Sequence, residues 1–186
     1  MRLTGLAHQK LAEVLRPGDF AADMTAGNGH DTLFLANAVG GTGRVFAFDV
    51  QAAALEATRA RLEKHGAIDR VELKLACHST LHAALPSEAR GRLGAVMANL
   101  GYLPGGEEEI VTTADGTLKM LRAAADNLRP GGVLSVIAYP GHPGGEIESA
   151  AVAMKLRELA SEGFILQTYG EHDDTARRPW LALVRR

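Results

Sequence analysis

Two acidic residues and a pair of glycines near the start of the chain have the types and spacing of a small-molecule binding site. Gly27 and Gly29 permit positive φ and let a ligand approach the backbone, and the free N–H groups of a following helix would face it. Asp23 stands four residues before Gly27, where it would repel a pyrophosphate but attract a cationic group. Asp49 follows Gly29 by 20 residues, where a carboxylate can accept hydrogen bonds from both ribose hydroxyls.

The glycine turn departs from the dinucleotide fingerprint G-x-G-x-x-G, because Thr32 stands at the third glycine position. A nicotinamide cofactor is therefore disfavoured. A cation site at Asp23, a ribose site at Asp49 and no provision for a diphosphate favour S-adenosylmethionine, whose ammonium and sulfonium groups are positive. The alternative is structural: the glycines make a tight turn and Asp49 caps the next helix.

A polar segment after the third apolar run could contact the base of a nucleoside. His78 or Ser79 could hydrogen-bond an adenine edge, although Ser79 could equally cap the helix that follows. We expect Cys77 to be a small core residue, because it belongs to the apolar run and no sequence feature activates its thiol.

A second glycine-rich segment has the residues to hold an amine. Residues 99–106 read Asn-Leu-Gly-Tyr-Leu-Pro-Gly-Gly and resemble the Asn/Asp-Pro-Pro-Tyr/Phe turn of amino-group methyltransferases at Asn99 and Tyr102, without its prolines. The Asn99 side-chain oxygen and a backbone carbonyl would accept hydrogen bonds from an NH₂ group and aim its lone pair. Tyr102 could stack on a planar base. The alternative is a surface turn with a buried tyrosine, followed by Thr112 and Thr113 as helix caps.

A third glycine turn and a basic C-terminal segment complete the candidates. His142 could take the proton released on methylation or contact a phosphate, and a solvated loop histidine is the alternative. Arg177 and Arg178, with two arginines at positions 185–186, predict a cationic patch suited to phosphate, or else solvated charges. The histidines at positions 8, 65 and 82 are expected on the surface, and no compact ligand spacing predicts a metal site.

The elements that must position these residues follow from hydrophobic periodicity. Short apolar runs predict seven strands, over residues 20–24, 45–50, 71–77, 95–100, 133–139, 164–169 and 180–184. Helical spacing predicts helices over residues 5–15, 32–39, 52–64, 117–128 and 146–161. In the helix over 52–64, the inward stripe is expected to carry Leu55, Arg59 and Leu62.

The alternation of strands and helices predicts an α/β, Rossmann-like fold with a mostly parallel sheet and helices on both faces. The last two strands have no helix between them, so they should pair antiparallel or lie in different places in the sheet. The three glycine turns follow strand ends, and ligands of open α/β sheets bind outside the carboxyl ends of the strands.

Composition and charge narrow the classes of protein. A chain of 186 residues with 46% hydrophobic and 23% charged residues suits a single domain over residues 1–186. We expect a cytoplasmic protein with no membrane partner, because no apolar run approaches the roughly 20 residues of a spanning helix. One cysteine excludes an intrachain disulfide. The net charge of −2 supplies no basic field, so nucleic-acid binding needs a local patch.

Four strings occur together along nearly the whole chain. They are Asp23-x-Thr25-x-Gly27-Asn28-Gly29-His30-Asp31-Thr32, Phe46-Ala47-Phe48-Asp49-Val50-Gln51, Asn99-Leu100-Gly101-Tyr102-Leu103-Pro104-Gly105-Gly106 and Gly141-His142-Pro143. They resemble the small bacterial methyltransferases known as putative rRNA methylases. The resemblance implies a class I S-adenosylmethionine-dependent methyltransferase fold, S-adenosylhomocysteine as product and a homodimer.

The same resemblance implies an RNA substrate and no DNA partner. Members of the family are linked to the 5-aminomethyl group of a 2-thiouridine at the tRNA wobble position, which suits an amine-holding loop. Methylation of rRNA or of a small molecule is the alternative, and a non-catalytic nucleoside- or RNA-binding module is a second one.

Residue roles follow from the motifs. The methyl donor is expected to contact Asp23, Thr25, Gly27, Asn28, Gly29, His30, Asp31, Asp49, Gln51, His78, Ser79 and Asn99. The substrate is expected to contact Leu100, Gly101, Tyr102, Pro104, Gly105, Arg177 and Arg178. The catalytic residues are expected to be Asn99, Tyr102 and His142.

Overall fold

The computed structural model describes residues 2–101, 112–170 and 178–186. Within them, seven strands form one sheet in the order β3-β2-β1-β4-β5-β7-β6. The strands are β1 (Phe20–Asp23), β2 (Arg44–Asp49), β3 (Val71–Leu75), β4 (Leu93–Leu100), β5 (Leu128–Ala138), β6 (Ile165–Tyr169) and β7 (Trp180–Arg185). The first five run parallel, and β7 lies antiparallel between β5 and β6. The predicted Rossmann-like sheet with an antiparallel last strand is confirmed.

Six α-helices cover the two faces of this sheet in the described residues. They are α1 (Leu3–Ala12), α2 (His30–Val39), α3 (Ala52–Lys64), α4 (Leu81–Ala84), α5 (Ala114–Asn127) and α6 (Gly145–Ser161). The first three pack into one core layer and the last three into the other. Neighbouring strand residues such as Val133 and Leu134 belong to opposite layers, because side chains alternate along a strand. None of the described helices combines the length and hydropathy needed to cross a bilayer.

Helix α3 turns a different face inward from the predicted one. Its buried residues are Ala54, Thr58 and Leu62, whereas Leu55 is half-buried and Arg59 is exposed. Small residues at the first two positions allow α3 to approach the glycine turn after β1. A Cβ atom added at Gly29 would lie 2.8 Å from Thr58 Cα, so bulk on either side would separate the two elements.

The third strand ends earlier than expected. β3 is an edge strand that stops at Leu75, so Cys77 lies beyond the sheet and is exposed. The prediction that Cys77 is a core residue was therefore wrong, because hydropathy alone does not distinguish an edge strand from a central one.

Of the arginines in the predicted cationic patch, Arg177 lies outside the described residues, and Arg178 and Arg185 lie at opposite ends of β7. Trp180 pairs with Ala138 at the carboxyl end of β5, whereas Arg185 pairs with Val133 near its start. The antiparallel strand thus carries Arg185 to the edge of the sheet opposite Arg178. Arg186 donates hydrogen bonds from Nη1 to the carbonyl oxygens of Leu128 (2.6 Å) and Asp126 (3.2 Å). These bonds hold Arg186 against the junction of α5 and β5.

The corrected face of α3 yields a stability prediction. Replacing the fully buried Leu62 by Ala should lower the free energy of unfolding by about 3 kcal/mol, because apolar area is lost and a cavity remains. Leu55→Ala on the same helix is the matched control and should cost less than about 1 kcal/mol. Urea denaturation of both variants measures the difference, and equal losses would contradict the observed helix face.

Candidate active site

The sequence-predicted residues lie together along the side of the sheet that is formed by the carboxyl ends of its parallel strands. Asp23 ends β1, Asp49 ends β2, and Asn99 is the next-to-last residue of β4. The register pairs Asp23 with Ala47 and Met97, so each of these strands ends within three residues of its neighbour. The two acids and the amide therefore share the crevice where open α/β sheets bind ligands.

Asp49 links the glycine turn to helix α3. Its Oδ2 accepts a hydrogen bond from Gly27 N (2.9 Å), and its Oδ1 accepts one from Gln51 N (2.9 Å). Gln51, not Asp49, occupies the N-cap position of α3. Each carboxylate oxygen retains a further lone pair, so the contacts with the backbone orient the group and leave it able to accept ribose hydroxyls.

The turn itself depends on positive φ at two glycines. Gly27 has φ of 53° and Gly29 has φ of 76°, and Gly29 is the N-cap of α2 with no side-chain capping bond. Gly29 also allows the close approach of α3, since an added Cβ would lie 2.8 Å from Thr58 Cα. Next to Gly29, Asn28 accepts a hydrogen bond at its carbonyl from Arg61 Nε (2.6 Å), and His30 is exposed at the first position of α2.

Asp23 is a buried acid with two donors. Thr32 Oγ1 donates to Oδ2 (2.6 Å) and Thr25 N donates to Oδ1 (3.1 Å). Burial and the negative charge of Asp31, with a smaller effect of Asp49, raise the pKa of Asp23 to about 7 despite these bonds. Three carboxyl groups thus converge on one side of the crevice and favour a cationic ligand.

Asn99 is held at both its main chain and its side chain. Its backbone N–H donates to Thr25 Oγ1 (2.8 Å), and its side-chain Nδ2 donates to Asp31 Oδ2. Asp31 also accepts, through Oδ1, a hydrogen bond from His8 Nε2 on α1 (2.6 Å). The His8 ring stacks on Phe34, with centroids 4.0 Å apart and planes 5° from parallel.

His8 was predicted to be a surface residue, and the structure corrects this prediction. It is half-buried and belongs to the same polar cluster as two site residues. Its position three residues before Leu11 and directly after Ala7, the two buried residues of α1, places it at the border of the buried face, which is the signal that could have identified it.

His78 lies in a 3-10 turn after β3 and is buried. Among the described residues its Nε2 has no hydrogen-bond partner, and burial lowers the pKa of its ring below the usual value. The ring faces the first turn of α5, since a Cβ at Gly116 would lie 3.4 Å from Nε2. Ser79 donates to Cys77 Sγ (3.1 Å) and does not cap the following helix.

The predicted substrate residues are only partly described. Tyr102, Pro104, Gly105 and Arg177 lie outside the described residues. The side chain of Leu100 is buried in the core, so a substrate could contact this residue only through its backbone. Arg178 is exposed at the same edge of the sheet as Asn99.

Gly101 directly follows β4 and lies beside the residues that follow β5. Its carbonyl accepts a hydrogen bond from Thr112 N (3.0 Å). With φ of 149°, an added Cβ would lie 3.5 Å from Tyr139 Cβ and 3.7 Å from His142 Cδ2, so the ends of β4 and β5 approach closely here. Tyr139 is a residue that the sequence reasoning missed; burial and the charge of Asp31 raise its pKa.

His142 is half-buried beside Gly101. Its Nδ1 lies 3.0 Å from the carbonyl oxygen of Pro143, and because a carbonyl can only accept, Nδ1 carries the proton. In the neutral ring Nε2 is then an acceptor. A Cβ at Gly145 would lie 2.8 Å from that Nε2 and 2.9 Å from the carbonyl oxygen of Pro140, and this backbone contact favours a glycine at the start of α6.

Glu148 is a second buried residue that the sequence reasoning missed. Its two carboxylate oxygens accept hydrogen bonds from Thr112 Oγ1 and Thr117 Oγ1, each at 2.6 Å. Thr112 is therefore tied to α6, and only Thr113 acts as the predicted helix cap, accepting from Gly116 N (3.4 Å). The described part of the chain contains no group of three or more His, Cys, Asp or Glu side chains arranged to hold a metal ion.

Comparison with known proteins identifies the family. Residues 45–185 match the family model described as "Putative rRNA methylase". The tRNA (mnm(5)s(2)U34)-methyltransferase, chloroplastic, of Arabidopsis thaliana is 41% identical over an alignment of 159 residues. The alignment covers 81% of this chain, and the chain spans 57% of the length of that relative.

Two crystal structures share the fold from end to end. A putative rRNA-methylase from Clostridium thermocellum is 34% identical, with 100% of this chain and 97% of that chain covered and a TM-score of 0.92. A putative methyltransferase from Streptococcus mutans in complex with S-adenosylhomocysteine is 32% identical, with coverage of 100% and 98% and a TM-score of 0.86. The chain therefore belongs to the putative rRNA methylase family, which makes it a member of a family of S-adenosylmethionine-dependent methyltransferases.

Proposed function

We propose that this chain methylates a primary amine carried by an RNA, with S-adenosylmethionine as the methyl donor. The observation that carries the proposal is the position of Asn99. Its amide nitrogen is bound to Asp31, so its oxygen is left to accept a hydrogen bond from an amine, and it lies beside a crevice lined with carboxyl groups.

The residues of the crevice fit the proposed donor. A buried Asp23 with a pKa near 7 gains from a cationic neighbour, which the amino-acid part of the donor would provide. Asp49 has lone pairs left for ribose hydroxyls. The buried His78 Nε2, which has no partner among the described residues, would suit a polar edge of the adenine.

The chemistry needs positioning rather than a covalent nucleophile. When bound, the donor supplies a methyl group activated by its sulfonium; the amine nitrogen forms the new N–C bond as the C–S bond breaks. Asn99 would orient the neutral amine by accepting one of its N–H groups. A free alkylammonium has a pKa near ~10, and burial beside a positive charge favours the neutral amine. The proton lost from the methylated nitrogen would pass to His142 Nε2 or to water.

The 5-aminomethyl group of 2-thiouridine at the tRNA wobble position is the proposed acceptor. Its support is the name of the Arabidopsis relative, which is 41% identical to this chain, together with the exposed Arg178 at the edge of the sheet that carries Asn99. The family description favours rRNA as the second candidate. An arginine beside the crevice would serve either RNA, since phosphate contacts position the backbone without reading sequence.

Nucleoside mass spectrometry distinguishes these substrates. Bulk tRNA and rRNA from a strain lacking the gene are incubated with the protein and isotope-labelled donor, then digested to nucleosides. We expect label in 5-methylaminomethyl-2-thiouridine from tRNA only. Label confined to rRNA would overturn the tRNA assignment, and label in neither RNA would overturn the proposal of an RNA substrate.

Removal of the amide at position 99 should separate catalysis from donor binding. Asn99→Ala is expected to lower kcat by at least about 100-fold, because the amine loses its orienting acceptor, while the Kd for the donor changes less than about threefold. Single-turnover methylation and calorimetric titration measure the two quantities. The control is Gln167→Ala, which removes an exposed amide on β6 and should leave both unchanged. Unchanged turnover in Asn99→Ala would contradict the proposed role.

Donor binding should depend on pH through Asp23. Because the ionised carboxylate is the form that attracts a cation, donor affinity should fall by up to about tenfold for each pH unit below about 7. Asp23→Asn should bind the donor weakly and lose most of this dependence between pH 5.5 and 7.5. Calorimetric titrations across that range provide the test, and an equally steep profile in the variant would assign the pH dependence to another group.

Asp23→Asn, which should weaken donor binding, should by contrast raise the free energy of unfolding relative to the natural chain as pH rises. A raised pKa in the folded protein means that Asp23 lowers the free energy of unfolding as pH rises from about 4 to about 7. Asp23→Asn has no such cost, so its stability relative to the natural chain should increase over that interval and level off above pH 7. Urea denaturation at pH 4.5 and 8 checks the sign; a constant difference would show that Asp23 ionises normally.

A further inference from the structure

The carboxylate of Asp31 stands between a histidine from α1 and the proposed amine-holding residue. His8 Nε2 bonds to Oδ1 at 2.6 Å, and Asn99 Nδ2 bonds to Oδ2. Asp31 is buried in the first turn of α2, where the helix dipole favours a negative charge. One carboxylate therefore receives donors from two other elements, α1 and β4.

The bond to Asp31 decides which end of the Asn99 amide is available. An ionised carboxylate only accepts hydrogen bonds, so Asn99 must turn its NH₂ group toward Asp31 and its Oδ1 away from it. The backbone N–H of Asn99 is bound to Thr25 Oγ1 (2.8 Å), which fixes the base of the side chain. Without Asp31 the amide could rotate by half a turn and present its NH₂ group to an amine, donor against donor.

His8 in turn fixes the orientation of Asp31. The imidazole donates through Nε2 to the oxygen that Asn99 does not use, and its ring is clamped against Phe34 in a parallel stack. Phe34 belongs to α2, the helix that carries Asp31, so the contact joins α1 to that helix at the site. The His8 side chain retains 29% of its exposure, which leaves it on the border of the solvent.

We infer that His8 and Asp31 are positioning residues that hold the Asn99 amide with its oxygen toward the acceptor amine. The inference rests on the proposed function for the role of Asn99, and it adds a residue from α1 to the site. Such a pair would select an acceptor that donates a hydrogen bond, as a neutral amine does, over one that can only accept.

A double-mutant cycle tests the coupling between Asp31 and Asn99. Measured at saturating donor, Asp31→Ala should lower kcat about 10- to 100-fold, whatever its effect on donor affinity through the charge of the crevice. Asp31→Ala combined with Asn99→Ala should be no slower than Asn99→Ala alone, because both changes remove one interaction. Multiplicative losses would overturn the inference. So would a loss in Asp31→Ala that appears only as weaker donor binding, since Asp31 would then act on the donor.

Conservative replacement separates hydrogen bonding from packing at position 8. His8→Ala should lower kcat about tenfold with KM for RNA little changed, and His8→Gln should recover most of the loss because its amide can donate to Asp31. His65→Ala is the matched control, since His65 is an exposed histidine at the C-cap of α3 whose ring hydrogen-bonds within its own helix, to the carbonyl oxygen of Arg61. Equal losses in His8→Ala and His8→Gln would indicate a packing role alone and would contradict the inference.

An NMR measurement on the protein alone, without donor or RNA, tests this inference independently of the proposed function. In isotope-labelled protein, the side-chain amide signal of Asn99 is identified by NMR as the signal lost in Asn99→Ala. We expect this signal to shift in Asp31→Ala and His8→Ala and to stay in place in His8→Gln and His65→Ala. An unmoved signal in Asp31→Ala would overturn the inference whatever the substrate, whereas a moved signal with no RNA methylation by the natural chain would refute only the proposed function.

Discussion

A carboxyl group buried at the end of a strand must find hydrogen-bond donors or remain protonated, and Asp23 meets this constraint in a way that organises the site around it. Its donors come from the turn it opens, through Thr25 N, and from the helix that follows, through Thr32 Oγ1. These bonds fix the path of the chain from β1 into α2. They do not offset burial and the neighbouring charges, so the pKa of Asp23 remains raised and the site favours a cation.

Three aspartates at one edge of the sheet differ in behaviour because their hydrogen-bond donors differ. Asp49 accepts from two backbone N–H groups, so it is oriented by the glycine turn and α3. Asp31 accepts from two side chains, His8 and Asn99, and its orientation therefore depends on α1 and β4. Asp23 is the most deeply buried, and the charges of the other two act on it. The same residue type is thus held by backbone N–H groups at Asp49, holds an amide at Asp31 and is buried with a raised pKa at Asp23.

The sequence predicted the order of the elements because buried strands and glycine turns leave local signals. Seven strands, the turn at Gly27 and the acids at Asp23 and Asp49 all follow from composition and spacing within a few residues. The predicted inward face of α3 was wrong because the prediction followed hydropathy and so did not include Thr58, which is polar. Thr58 faces inward because the close contact with Gly29 requires a small side chain more than a hydrophobic one. Hydropathy measures only the second property.

The features that the sequence missed depend on which distant segments meet. The predicted cationic patch was wrong in grouping Arg185 with Arg178, because β7 inserts antiparallel between β5 and β6 and carries Arg185 away from Arg178. His8 was missed for the same reason: its partner Asp31 lies 23 residues away, and their contact requires α1 and α2 to pack on the same face of the sheet. The position of His8 therefore makes the geometry of Asn99 depend on how α1 packs, so a change that displaces α1 would disturb the side of the crevice that holds Asn99 while the backbone contacts of Asp49 stay in place.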